Sequence, residues 1–355
     1  MAVQTGFVLA LVIPLIRHRA PKTFDNHQGV SVIIAARNEA KNLNQLLQRL
    51  KEQDQEYPYE VIVVNDRSTD QSALLLNEWQ KQWKALTVVD VESLPAGWTG
   101  KKYALFCGVQ KARFSKLLFT DADCLPASDQ WIQLMGNALA NDYQVVLGYS
   151  PYAKRKGWLN RFIQYETLWV AMQYLGFALW KKPYMGVGRN WAVTHQHYDL
   201  DFLKKIGHLE GGDDDLMVGH LSKTHSIQIL IEPAAFTVST PKETLKSYLH
   251  QKIRHLSAGK HYDKKDQTLL GIFTLSCVVG WGLFFWALAT SSLPSWIWTA
   301  FGVRCLLNYA IIRQLGQKLK TEIEIWSLPF LDLCYCFYYP LVAIKALATK
   351  QVEWK

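Results

Sequence analysis

Apolar, uncharged stretches occupy the two ends of the chain, and between them short apolar runs alternate with amphipathic stretches. Residues 2–16, AVQTGFVLALVIPLI, carry no charge and are followed by Arg17, His18, Arg19 and Lys22. A cleavable secretory signal carries its positive residues in front of the apolar run, and positive residues mark the inner flank of a span. The order found here predicts a membrane anchor over residues 1–22, with the chain then entering the cytoplasm. Three more apolar stretches, residues 269–293, 295–315 and 325–348, come last. The first two read as a membrane hairpin, because SSLPS between them is short and uncharged while RQLGQKLK returns Arg313, Lys318 and Lys320 to the inner side. The third holds Asp332, Pro329 and Pro340 and reads as either a span or a re-entrant hairpin.

Residues 28–265 have a different pattern. Apolar runs at 30–36, 59–65, 86–91, 116–120 and 143–149 are separated by helical periodicity, clearest over 39–53 and 69–84. Strands joined by helices of that length pair in parallel through right-handed crossovers, and such sheets gather their ligands at the carboxyl ends of the strands. The expected fold class is α/β, with a mainly parallel sheet, plus membrane helices at both ends. Residues 158–180, WLNRFIQYETLWVAMQYLGFALW, mix aromatics with Arg161, Gln164, Glu166 and Gln173. They read as a helix lying in the membrane interface, the alternative being an ordinary amphipathic helix packed on the sheet.

With 49 % apolar residues in 355 and a net charge of +9, the chain is neither disordered nor fibrous. Six cysteines form no CxxC pair and are expected as reduced thiols.

Unusual residues cluster where strands should end. The run EVIVVND carries Asp66 into a turn, where it can hydrogen-bond a base or ribose or merely cap the next helix. After KLLFT come Asp121 and Asp123; residues two apart in extended chain point the same way, so both carboxylates can face one hard cation and leave sites for diphosphate oxygens. Asp213, Asp214 and Asp215 stand together after Gly211 and Gly212, and carboxylates so crowded raise one another's pKa, which suits a general base. An acidic helix N-terminus explains one or two of them equally well. In HQKIRHLSAGKHY, Gln251, Arg254 and His255 share a helix face, and arginine binds diphosphate bidentately, while Lys252, Lys260, Lys264 and Lys265 suit anionic lipid heads. His195 and His197 have no third metal ligand at suitable spacing, and Gly186 with Gly188 is a weak phosphate-loop signal. Cys334 and Cys336 read as packing residues.

In order, VSVIIAARNEA, VIVVNDRSTD, LPAGWTGKKYAL, LLFTDADC, MGVGRN, GGDDDL and QKIRH resemble the membrane-bound family-2 glycosyltransferases, inverting enzymes with a GT-A catalytic domain, along the whole chain. GWTGK followed by DADC and GRN is most similar to the branch acting on lipid acceptors such as carotenoids, hopanoids or ceramides. The resemblance implies that Ala36, Arg37, Glu39 and Asp66 line the nucleotide pocket, that Lys101 and Asp121 approach the donor, and that Asp121 and Asp123 hold Mn2+ or Mg2+. It also implies that Asp213 or Asp214 is the catalytic base and that Gln251, Arg254 and His255 lie near the diphosphate and acceptor. Ala35 replaces a frequent proline, Gly212 stands at the glutamate of the base motif, and His255 replaces the tryptophan of processive synthases.

The expected protein is therefore a metal-dependent glycosyltransferase in the cell membrane, multi-pass with a cytoplasmic catalytic domain. It is expected to take a nucleoside diphosphate sugar, with UDP as the nucleotide, and a lipid hydroxyl, and no nucleic acid. The expected parts are residues 1–22, 28–265 and 269–348. A processive polysaccharide synthase and a non-enzymatic scaffold are the alternatives; a dinucleotide oxidoreductase is disfavoured because AARNEA, not GxGxxG, follows the first strand.

Overall fold

The computed structural model describes residues 2–19, 28–139, 142–290 and 294–349, so Lys22, Leu293, Lys350 and the ends of the expected anchor fall outside the described residues. The strands are β1 (Val30–Ala36), β2 (Tyr59–Asp66), β3 (Leu86–Val91), β4 (Lys116–Phe119), β5 (Cys124–Pro126), β6 (Val145–Gly148), β7 (Trp191–Thr194), β8 (Ile227–Leu230) and β9 (Thr237–Ser239). The helices are α1 (Ala2–Arg17), α2 (Ala40–Lys51), α3 (Ser72–Gln82), α4 (Gly100–Lys111), α5 (Trp131–Ala138), α6 (Trp158–Leu179), α7 (Leu200–Lys205), α8 (Asp215–Leu221), α9 (Leu245–Ser257), α10 (Lys264–Thr290), α11 (Ser295–Lys318) and α12 (Leu328–Ala348). They divide between a sheet unit, Arg19–Ala153 with Lys181–Pro241, and a helical unit, Met1–His18 with Lys154–Trp180 and Lys242–Val352.

In the sheet unit, seven strands lie in the order β3-β2-β1-β4-β7-β6-β8. Every residue of β1 is buried, as a central strand covered on both faces requires. α2 turns Leu43, Leu46, Leu47 and Leu50 onto the sheet, one stripe at helical spacing. α4 approaches so closely that a Cβ at Gly108 would stand 2.8 Å from Ile33 Cγ2. The pairings β3-β2-β1-β4 are parallel, and so is β6-β8. β7, however, runs antiparallel to both neighbours, so the sheet is mostly parallel but mixed. Asn190, just before β7, is buried; it accepts from Trp131 Nε1 at 3.0 Å and donates to the carbonyls of Tyr149 and Ala235. That network pins the inserted strand without any apolar pattern of its own.

α10 and residues 325–348 are long and apolar enough to cross a bilayer, while α1 is shorter at 16 residues. Residues 328–348 form one helix, α12, with Pro340 inside it, rather than a re-entrant hairpin. α11 is not uniformly apolar, because Arg304 lies buried on it. Its guanidinium donates to Asp332 of α12 at 3.1 Å and to Gln4 of α1 at 2.8 Å. Trp281 of α10 and Tyr165 of α6 also donate to the Asp332 carboxylate, at 3.2 and 3.3 Å. One carboxylate thus gathers donors from three other helices, and its guanidinium partner reaches a fourth, as a charge away from water demands.

The expected interface helix, α6, is largely buried within its unit. α6 buries 16 of its 22 residues, Leu168 and Leu175 among them, against other helices of its unit. Gly176 lets α1 come within contact, since a Cβ there would meet Leu11 Cβ at 2.9 Å. Glu166 is paired at 2.6 Å with Lys252 of α9, and both are buried, so Lys252 does not face lipid heads as expected. Arg161 pairs likewise with Glu324 at 3.0 Å.

Arg304→Leu leaves Asp332 buried without its counter-charge and is expected to cost about 3–5 kcal/mol. Thermal unfolding in detergent, followed by tryptophan fluorescence, checks this; the double substitution Arg304→Leu with Asp332→Leu should recover most of the loss.

Candidate active site

Three loops at the carboxyl ends of the strands and one helix start bring the sequence-flagged residues of the sheet unit together. After β1, Asn38 adopts φ +55, a left-handed conformation that asparagine tolerates. Its Oδ1 accepts from Thr69 N at 2.7 Å, its own N–H donates to Ser68 Oγ at 2.9 Å, and Glu39 N donates to Ser72 Oγ at 3.0 Å. These bonds stitch the β1 loop to the β2 loop. Ala36 closes β1, Arg37 buries its Nε without a hydrogen-bond partner among the described residues, and Glu39 accepts from Asn42 at 2.5 Å.

Asp66 ends β2 fully buried. It does not cap a helix, since α3 begins at Ser72, whose N–H is taken by Asp70. Instead Arg67, in a left-handed backbone at φ +50, folds back and grips both Asp66 oxygens, Nε to Oδ1 at 2.7 Å and Nη2 to Oδ2 at 2.9 Å. No motif announces Arg67; its only sequence signal is a large residue inside a tight turn.

Past β4, Asp121, Asp123 and Cys124 bring ligand atoms within 4.8 Å of one another. Burial, ahead of the charges of Asp123 and Asp121, raises the Cys124 thiol well above its ordinary value. It therefore stays protonated and donates to Asp123 Oδ1 at 3.5 Å. What remains is a pair of carboxylates, a donor set suited to a hard divalent cation such as Mg2+ or Mn2+.

Lys101, in the first turn of α4, reaches across to two segments. Its Nζ lies 3.0 Å from Asp121 Oδ1 and 2.9 Å from Asp213 Oδ2. Lys102 beside it is buried and donates to the carbonyls of Leu209 and Gly211; burial, opposed by Asp213, Glu210 and Asp214, brings its ammonium down to about 8. Gly211 and Gly212 follow at φ +76 and +72, so a glutamate at 212 would be strained and Gly212 is a backbone requirement.

Asp213 and Asp214 then diverge. Asp213 lines the same pocket as Lys101, Thr120, Asp121 and Gly188. Burial acts to raise its carboxyl, but the charges of Lys101 and Lys102 and the Lys101 hydrogen bond outweigh that and hold it below the ordinary range. Asp214 is the N-cap of α8: Oδ1 accepts from Asp215 N at 2.9 Å and Oδ2 accepts from Gly188 N. Burial, followed by the charge of Asp213, pushes Asp214 up to about 6. The Gly188 N–H serves this carboxylate, and a Cβ at 188 would stand 3.0 Å from Asp214 Oδ2. Arg189 adds a cation-π contact 4.4 Å from the Tyr152 ring, another residue that spacing alone does not reveal.

Gln251, Arg254 and His255 belong to α9 of the helical unit. His255 is exposed, Arg254 and Gln251 are half-buried, and Lys252 and Ile253 between them face inward. All six cysteines are free.

A mostly parallel mixed sheet with acidic groups at its carboxyl end is the arrangement of the GT-A fold. The model of the family described as "Glycosyl transferase family 2" matches residues 31–198. A 4,4'-diaponeurosporenoate glycosyltransferase of Staphylococcus aureus strain MRSA252 is 34 % identical over 143 residues, 39 % of this chain and 35 % of that protein. Its counterpart in strain USA300 is 33 % identical over the same length. The chain thus spans about a third of the length of the curated relatives it matches. Among solved structures, a mannosyltransferase from Pyrobaculum calidifontis in complex with GDP-Man and Mn2+ shares the fold, with TM-score 0.55, 18 % identity and coverage of 98 % of this chain and 95 % of that one.

Asp214 sets a pH signature. Its carboxyl titrates near 6 in the folded protein against about 3.9 in an unfolded chain, so the folded state keeps a proton the unfolded state has lost. Its contribution to stability therefore falls as pH rises from about 4 to 6, whereas Asp213, held low, acts in the opposite sense and only below about pH 4. Melting temperatures measured between pH 4 and 7 should fall less steeply with rising pH in Asp214→Asn than in the wild type.

Proposed function

We propose that the protein is an inverting glycosyltransferase that moves a sugar from a nucleoside diphosphate, UDP by family resemblance, onto a hydroxyl of a membrane lipid. The observation that carries this is the meeting of Asp121, Lys101 and Asp213, from three separate segments, in one pocket beside Asp123. Asp213 is the base. It faces the pocket, while both oxygens of Asp214 are committed to backbone donors.

Asp213 takes the proton of the acceptor hydroxyl, whose oxygen attacks the anomeric carbon opposite the diphosphate. The carbon–oxygen bond to the diphosphate breaks, and the nucleoside diphosphate leaves with that electron pair. Asp121 and Asp123 are the residues that would hold a divalent ion, which when bound offsets charge on the leaving diphosphate. Lys101 supplies a second positive group there. Ala36, Arg37, Glu39 and Asp66 receive the nucleotide. Gln251, Arg254 and His255 act toward diphosphate and acceptor, and histidine at 255 favours single transfers over chain extension.

A lipid acceptor is supported by the name of the staphylococcal relative and by the apolar helices. The basic residues following α1, Arg17, His18 and Arg19, favour a multi-pass protein with its catalytic domain on the cytoplasmic side.

Asp123→Ala is expected to lose Mn2+-dependent UDP binding by calorimetry while keeping its melting temperature; retained binding would refute the metal assignment. Asp213→Asn should lower kcat by about 10²–10⁴-fold with donor affinity unchanged, since a base acts in the transition state. An equal loss of donor affinity would show that Asp213 binds the donor instead. Lipid extracts of cells with and without the gene, compared by mass spectrometry, identify sugar and acceptor.

A further inference from the structure

Lys101 stands where two carboxylates from different loops converge. Its Nζ bridges Asp121 Oδ1 at 3.0 Å and Asp213 Oδ2 at 2.9 Å, and its side chain is only 17 % exposed. Asp121 is also one of the two carboxylates suited to a divalent ion, with its ligand atom within 4.8 Å of that of Asp123. An ammonium and a divalent cation both need the Asp121 oxygens, and two positive centres at one carboxylate repel. The pocket wall leaves Lys101 little lateral room on the Gly188 side: the place a Cβ would take at Gly188 is 3.3 Å from Nζ.

We infer that Lys101 is the resting occupant of the cation position. It is displaced from Asp121 when a divalent ion arrives and is then held by the diphosphate of the donor. This rests on the metal and donor assignments above and adds a coupling to them. A bare divalent ion must break the Lys101–Asp121 pair with nothing to receive the ammonium, so it binds weakly. A nucleoside diphosphate supplies that receiver, so ion and nucleotide each raise the other's affinity beyond their direct contact. The same movement takes Lys101 away from Asp213, freeing the proposed base from its counter-charge only when the donor is in place.

The experiment uses the full chain in detergent, with wild type, Lys101→Gln and Lys101→Arg. Mn2+ alone, UDP alone and the two together are titrated by calorimetry, with Mn2+ binding also followed by electron paramagnetic resonance, at low and high salt. Lys101→Gln should bind Mn2+ alone more tightly and UDP more weakly than wild type, and the mutual enhancement should drop by a factor within the usual allosteric range of about 5- to 150-fold. Lys101→Arg, which keeps charge and reach, should retain the weak binding of Mn2+ alone. Unchanged Mn2+ affinity in Lys101→Gln, with wild type showing Mn2+–UDP enhancement, overturns the exchange and leaves the metal assignment standing. A gain that vanishes at high salt is a long-range charge effect and also overturns it. A wild type that binds no Mn2+ even with UDP overturns the metal assignment and the exchange together.

Discussion

Carboxylates repel, and Asp121, Asp123, Asp213 and Asp214 are gathered at the carboxyl end of one sheet. That repulsion is the constraint on which the site depends. The chain meets it with an ammonium set between two of the groups, with backbone N–H donors on a third, and with a second buried lysine nearby. Each device needs a particular backbone. Gly211 and Gly212 turn left-handed so that Asp213 points into the pocket and Asp214 caps α8, and Gly188 has no side chain to keep Asp214 from its N–H. The glycines serve the electrostatics.

The helical unit obeys the same rule with different groups. Asp332 is buried among apolar helices and is matched by one guanidinium and two neutral donors, each from another helix. Glu166 and Lys252 repeat this between α6 and α9 at 2.6 Å. Such pairs add little net stability over a well-packed apolar contact, but each is costly to half-remove, so they fix which helices meet and in which register. Lys252 inside the QKIRH motif illustrates the effect. Its inward pairing turns α9 so that His255 faces outward.

What the sequence made legible follows from where single-chain patterns are strong. Apolar-rich runs placed β1, β2 and β3 within a residue of their observed bounds, and β1 and β2 are buried almost throughout, as central parallel strands are. β7 and β8 were not anticipated; β7 is tied through Asn190 beside it to segments that only the folded chain brings together. The burial of α6 was not legible for a related reason. Gln164, Glu166 and Gln173 look like a wet face until the partners that bury them are known. At the site, the DAD and GDDD segments were visible as dense charge near strand and helix ends. Arg67 over Asp66 and the Gly188 N–H on Asp214 were not, since each is one residue acting through one contact.

The choice between Asp213 and Asp214 shows why a shifted pKa does not by itself identify a base. Asp214 titrates nearer neutrality, which is the usual signature of a functional carboxylate. Yet its shift comes from burial beside another carboxylate, and its two oxygens already accept backbone N–H groups. Taking a proton from an acceptor would cost it one of those bonds and loosen the start of α8. Asp213 is held low by Lys101, so in the resting state it is a weak base. Asp213 lines the pocket, however, and its ion pair there with Lys101 is one that a diphosphate can dissolve. A carboxylate whose basicity is released by the arrival of the donor is better suited to catalysis than one whose basicity is permanent and whose oxygens are spent on structure.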